Sequence, residues 1–388
     1  MTANITPPQP TAYYRQLDGI RALAVLGVMA GHWTGITQTL GFSLGSLGVD
    51  VFFVLSGFLI TQILLRARDK TDAPDTPDAP PHATRGGVLK AFYARRALRI
   101  FPIYYVTIIL GAIAGWGVMR ENFFYHAAYL SNVRMSMEGD WLPLTAHFWS
   151  LSVEEQYYLF WPLLVLFLPR RALLPTTIGL IALAPLYRVS MASMGTNVAD
   201  MAGDVMTPAC LDCLCGGALL AYVASRRGLD AVCSSVTLRV AGAIGLVVFL
   251  VFSIAEFDGD WWAKPLLVRT GAAVFGVGLI AWAVKGIAGP VGALLSCRPM
   301  VYLGRISYGL YVLHNFSPRI TAPLLELSGA RDLGLTGPAY ALTSVVLSLI
   351  ITIALASLSW YVMELPLNKL KRHFPYTPKT LAPAADRA

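Results

Sequence analysis

Apolar residues run through this chain in blocks of about twenty, the length a helix needs to cross the roughly 30 Å hydrocarbon core of a bilayer. Ten blocks can be drawn: 17 to 36, 47 to 66, 100 to 119, 154 to 168, 172 to 190, 208 to 224, 238 to 254, 267 to 284, 300 to 320 and 338 to 363. They predict an all-α fold, a polytopic membrane helix bundle with about ten transmembrane helices. The segment from 69 to 87 (DKTDAPDTPDAPPHATRGG) is too rich in Pro, Asp and Thr to bury the apolar surface that ordering requires, and is expected to be a disordered loop. The segment from Met119 to Trp149 mixes aromatics with His126, Glu138, Asp140 and His147, which suits a partly structured cap or substrate mouth. One transmembrane domain is expected over 1–370 and a short polar tail over 371–388, with no internal repeat and no appended soluble domain. The first block follows a polar leader and itself carries Asp18 and Arg21, so it is expected to stay uncleaved.

Composition agrees with the blocks. Of 388 residues, 56% are hydrophobic and 13% charged, with a mean hydropathy of +0.59, so lipid must solvate much of the surface. If the N-terminus is cytoplasmic, 23 of the 30 Lys and Arg fall in cytoplasmic segments and only Arg120, Arg134, Arg188, Lys264, Arg269, Arg319 and Arg331 fall outside. That bias is what the positive-inside rule asks of an even helix count with both termini cytoplasmic. The net charge of +8 therefore reports topology, and no nucleic acid partner is expected. Five cysteines, with Cys210, Cys213 and Cys215 in or beside the sixth block, read as buried free thiols rather than a metal centre.

Ionisable groups inside apolar blocks are expensive, so they mark candidate chemistry. Arg21 and His32 are eleven residues apart in LDGIRALAVLGVMAGHW, which places them on one helix face and roughly 16 Å apart along the axis. On the second block, GVDVFFVLSGFLI, Asp50 falls at about the depth of His32, where it either orients the imidazole or sits in water at the helix end; Ser56 falls nearer the midplane. HFWSLSVEEQYY brings His147, Glu154 and Glu155 to the same depth. Adjacent carboxylates on a helix diverge by about 100°, so one is expected to face the interior as an acid/base or histidine-orienting group and the other to meet water, a neighbour or substrate. In ARRALRIFPIYY, Arg95, Arg96 and Arg99 join Arg21 at the cytoplasmic mouth, where guanidinium forks suit phosphate oxygens but also anionic lipid. Ser307, Tyr311 and His314 form a polar stripe in GRISYGLYVLH, and Glu364 is expected to pair with an arginine. No phosphate loop, dinucleotide fingerprint or nucleophile elbow is present.

The Arg21/His32 helix, GVDVFFVLSGFL, RRALRIFP, FWSLSVEEQYY, GRISYGLYVLH and the closing ELP, in that order over nearly the whole length, resemble the integral-membrane acyltransferase family 3. The resemblance implies transfer of an acyl group, usually acetyl, from cytoplasmic acyl-coenzyme A to a hydroxyl of a sugar, glycan or related acceptor, in a bacterial plasma membrane protein that needs no metal. It implies His32 as catalytic base and Arg21, Arg96 and Arg99 as contacts to the acyl-CoA donor; from depth, Asp50 or Glu154 is expected to orient the imidazole. By depth, Ser56 and Tyr308 are expected to meet the donor's thioester and its oxyanion, while His147, Glu155, Tyr311 and His314 are expected on the acceptor side. A two-step route through an acyl-enzyme stays open, and a secondary transporter or flippase for a lipid-linked sugar is the alternative from another class.

Overall fold

The computed structural model describes residues 13–72, 84–254, 262–329 and 336–376, and these residues are helical throughout apart from turns. The helices that build the bundle are α1 (Arg15–Trp33), α2 (Leu44–Thr71), α3 (Arg85–Ile113), α4 (Phe148–Phe167), α5 (Arg170–Ala192), α6 (Leu211–Arg227), α7 (Val236–Ile254), α8 (Ala263–Lys285), α9 (Arg298–Arg305), α10 (Ser307–Leu313), α11 (Ser317–Leu327) and α12 (Gly337–Ser359). Seven helical stretches among the described residues are long and apolar enough to cross a membrane. The three expected spans that fall short are α1, α4 and the α9–α11 region, which carry Arg21 and His32, Glu154 and Glu155, and Tyr311 and His314. In α1 and α4 the length suffices and polar residues lower the apolarity, whereas α9, α10 and α11, of 8, 7 and 11 residues, are each too short to cross.

Two departures from the hydropathy blocks have physical causes. The third helix begins at Arg85 rather than 100: Thr84 accepts from the Gly87 N–H at its start, and its basic residues find partners, Arg85 pairing with Asp72 at 2.8 Å, Arg95 donating to the Lys371 and Phe374 carbonyls at 2.9 and 3.1 Å, and Arg96 lying over the Tyr158 ring. The expected span 300 to 320 is three helices. Pro318, near the start of α11, has no N–H for the His314 carbonyl, so the chain turns at His314 to Phe316, and the Phe316 ring stacks on Trp116. Of the expected loop 69 to 87, both ends are helical and 73–83 lie outside the described residues, as do 377–388 of the expected tail. Glu364, expected to pair with an arginine, instead accepts a 2.9 Å bond from Ser359 in a π-helical turn after α12.

Helix α2 is the axis of the bundle, buried along most of its length against α1, α4, α6 and α8. It meets α6 at backbone distance. A Cβ on Gly57 would strike the Leu214 carbonyl and one on Gly217 the Val54 carbonyl, so the crossing admits only glycine. Polar pairs complete the packing: the Trp161 indole donates to Thr61 at 2.7 Å, and Arg68 caps the end of α4 through the Val165 and Leu168 carbonyls at 2.6 and 2.8 Å. Arg188 ties α5 to α6 and α8 through Asp212, the Ala209 and Pro265 carbonyls and Thr270. Cys210, Cys213 and Cys215 are free and buried on the same side.

Between α3 and α4, the segment expected as a cap folds into short helices over Gly117–Glu121, Phe123–Ala127 and Ser131–Glu138. There His126 is fully buried, with Nδ1 bonded to Ser131 Oγ at 2.8 Å, and burial pushes its imidazole down to about 4.

Two outcomes follow from this packing. Gly217→Val is expected to cost about 1–3 kcal/mol by overpacking, read as a lowered Tm and loss of the monodisperse peak in detergent, whereas Gly179→Ala, whose Cβ would meet nothing within 4 Å, leaves both unchanged. Because His126 is held below its unfolded value near 6.5, charging it opposes folding, so stability is full above about pH 6.5 and falls as pH drops toward 4; a Tm series over that range should flatten in His126→Gln.

Candidate functional site

Helices α1, α2, α3, α4 and α10 enclose a cavity of about 210 Å³ lined by Arg21, Ser56, Arg96, Arg99, Glu154 and Tyr308, together with Ser150, Ser307 and Tyr311. Arg21 is held by Asp18 Oδ1 at 2.6 Å, and Asp18 Oδ2 accepts from the Tyr13 hydroxyl at 2.6 Å, so each oxygen of this carboxylate has a partner. Among the described residues no carboxylate forms an ion pair with Arg96 or Arg99. Ser56 donates to Glu154 at 2.6 Å and accepts from the Tyr158 hydroxyl at 3.0 Å. The Tyr308 hydroxyl is buried with no partner among the described residues, an exposed need for a hydrogen bond on the wall of a polar cavity. Arg21, Ser56, Arg96, Arg99 and Tyr308, grouped on sequence grounds, thus line one cavity.

A second cavity, of about 360 Å³, holds His32 and His147, with Trp141, Trp149, Asp204 and Arg269 around them. Arg21 and His32 thus line different cavities. Val49 and Tyr311 line both, so their side chains form the partition between the arginine cavity and the histidine cavity. The Tyr311 hydroxyl is tied to Ser150 Oγ at 2.5 Å and to the His147 carbonyl at 3.2 Å, which holds the ring in that position.

The turn created by the α10–α11 break sets the state of His32. His314 Nδ1 sits 2.7 Å from the Tyr311 carbonyl, which can only accept, so the proton is on Nδ1 and Nε2 carries a lone pair. His32 Nδ1 lies 2.8 Å from that Nε2 and 2.9 Å from Asn315 Oδ1, both acceptors, so His32 is protonated on Nδ1. Asn315 Nδ2 in turn donates to His147 Nδ1 at 2.9 Å, and His147 Nε2 donates to the Val312 carbonyl at 3.1 Å. Every donor in this relay meets an acceptor in only one arrangement. It leaves Nε2 of His32 unprotonated, the form a general base requires.

Several expected roles change. His32 is oriented by His314 and Asn315, not by Asp50 or Glu154. Asp50 is engaged by Arg269 Nε at 3.1 Å, and Glu154 belongs to the arginine cavity, on the other side of the partition. His314, expected on the acceptor side, is fully buried against His32 and lines neither cavity. Glu155 diverges from Glu154 as helical geometry requires and faces a separate lateral cavity of about 510 Å³ with Tyr93 and Gln156. A further cavity of about 770 Å³ lies among α5 to α8, is lined mainly by apolar side chains and contains none of the candidate residues. Asn315 and Ser150 were missed in the sequence; Asn315 directly follows the flagged His314, and only the turn brings it to His32.

Residues 14–357 match the acyltransferase domain, and the chain belongs to the integral-membrane acyltransferase family 3. It is 30% identical over 390 residues to the peptidoglycan O-acetyltransferase OatA of Listeria monocytogenes, covering 92% of this chain and 56% of that protein. It is 27% identical over 393 residues to the O-acetyltransferase OatA of Staphylococcus aureus, covering 95% of this chain and 59% of that protein. The chain therefore spans a little over half the length of these relatives. No solved structure matches it.

The relay makes a direct prediction. In long-range ¹⁵N–¹H spectra of labelled protein at neutral pH, the His32 ring should show a protonated Nδ1 and a bare Nε2, and the double variant His314→Phe, Asn315→Leu should lose that preference. A wild-type ring protonated on Nε2 contradicts the assignment.

Proposed function

We propose that the protein moves an acyl group, acetyl in the first instance, from acyl-coenzyme A bound in the arginine cavity to a hydroxyl of a cell-envelope glycan presented in the histidine cavity. The observation that carries this reading is the contact of His32 Nδ1 with His314 and Asn315, which leaves Nε2 outside the relay, in a residue that lines a cavity abutting the one lined by Arg96 and Arg99. Arg96 and Arg99, which form no ion pair with a carboxylate among the described residues, offer charge-assisted hydrogen bonds to the donor's polyanionic phosphates, with the Asp18-paired Arg21 beside them. Ser56 and Tyr308 line the route of the pantetheine arm, and the orphan Tyr308 hydroxyl is suited to donate to the thioester carbonyl as it gains charge. The excess of basic residues at the arginine end supports placing that end, and both termini, in the cytoplasm, so the coenzyme itself need not cross the membrane.

In this mechanism the thioester reaches the partition at Tyr311. His32 Nε2 takes the proton of the acceptor hydroxyl, whose oxygen attacks the thioester carbon; the tetrahedral intermediate then collapses, the C–S bond breaks, and the leaving thiolate takes the proton back from the imidazolium. Acceptor ester and free coenzyme thiol are the products, and the atoms balance without a metal or an acyl-enzyme. The names of the bacterial relatives support a peptidoglycan-type acceptor and an acetyl donor.

With purified protein and labelled acetyl-CoA, His32→Gln is expected to lower transfer to a glycan acceptor by about 10² to 10⁴ while donor binding persists. Arg96→Gln and Arg99→Gln are each expected to raise the donor KM about tenfold, the loss of one charge-assisted contact. Full transfer by the His32 variant would remove that residue from the chemistry.

A further inference from the structure

Beside the histidine cavity lies a second lobe, a cavity of about 310 Å³ that shares Ser46, Asp204 and Arg269 with it and extends to Asp200 and Lys264. Its two arginines are already spent: Arg188 on Asp212 and three backbone carbonyls or hydroxyls, Arg269 on Asp50 at 3.1 Å and the Asp204 carbonyl at 2.8 Å. The side chains of Asp200, Asp204 and Lys264 are exposed and make no hydrogen bond or ion pair with the described residues. At the rim of the histidine cavity Trp141 presents a 44% exposed indole, and Trp149 lies under Arg269.

We infer that this second lobe is an acceptor subsite that seats a further sugar ring beside the one being acylated, with the Asp204 and Asp200 carboxylates accepting its hydroxyls. This rests on the acyl-transfer reading above. Free carboxylates with a lone ammonium give a polar, nearly charge-balanced lining that suits a hydroxyl-rich ligand better than a polyanion, and an aromatic face on the rim suits the C–H face of a pyranose. A cation is not favoured, since no three metal-ligating side chains converge among the described residues. The two lobes are similar in size, about 360 and 310 Å³, so where one ring fits beside His32 a second fits beside Asp204.

The test uses the full chain in nanodiscs with N-acetylglucosamine and its β-1,4-linked dimer as probes, in two arms. In the binding arm, tryptophan fluorescence titrations should show the dimer binding at least about tenfold tighter than the monomer, and that ratio should collapse toward one in Asp204→Asn and in Asp200→Asn. In the turnover arm, with labelled acetyl-CoA, the same variants should lose the dimer's advantage in KM while kcat for the dimer changes little. A wild-type protein that binds neither probe, or binds both equally, overturns the second subsite, as does a dimer preference that survives both substitutions. Dimer-selective binding without any transfer of label would instead sink the acyl-transfer reading and leave the subsite standing.

Discussion

A bundle solvated by lipid has no water with which to satisfy a stray polar atom, so each buried donor and acceptor must find its partner inside the protein. The hydrogen bond from His32 Nδ1 to the His314–Asn315 turn is where that requirement becomes functional. Because His314 spends its own proton on the Tyr311 carbonyl, and Asn315 spends its amide on His147, the only remaining place for the His32 proton is Nδ1. The vacant Nε2 is thus a by-product of satisfying everything around it.

The break between α10 and α11 makes this possible. A continuous helix would bury the His314 carbonyl in its own ladder and carry Asn315 round to another face. With Pro318 refusing the next hydrogen bond, the backbone turns, Phe316 locks against Trp116, and the His314 and Asn315 side chains both meet the end of α1. Elsewhere the helices are held by contacts that leave no freedom of this kind: the Gly57/Gly217 crossing fixes α2 against α6, and Arg188 binds α5, α6 and α8 into one block.

The partition formed by Val49 and Tyr311 divides the polar interior into a cationic half and a histidine half. In the acyl-transfer reading this division has a chemical use. A thioester held on the arginine side stays away from water on the other side until a hydroxyl is present beside His32. The Tyr311 hydroxyl, bonded to Ser150 on one side and to the His147 carbonyl on the other, belongs to the hydrogen-bond systems of both cavities.

Much of this was legible in the residues. The apolar blocks pointed to an all-helical membrane protein, Arg21, Arg96, Arg99, Ser56 and Tyr308 were grouped together and do line one cavity, and the angle between adjacent helical positions separated Glu155 from Glu154. Those inferences use only rise, periodicity and the cost of charge in lipid, which are local properties. The partner of His32 was not local. Depth alone put Asp50 and Glu154 level with the imidazole, but depth says nothing of azimuth, and Arg269 and Ser56, distant in sequence, claimed both carboxylates. Which side chains face each other across a bundle is set by the rotation of each helix and by where it breaks, and only packing fixes those.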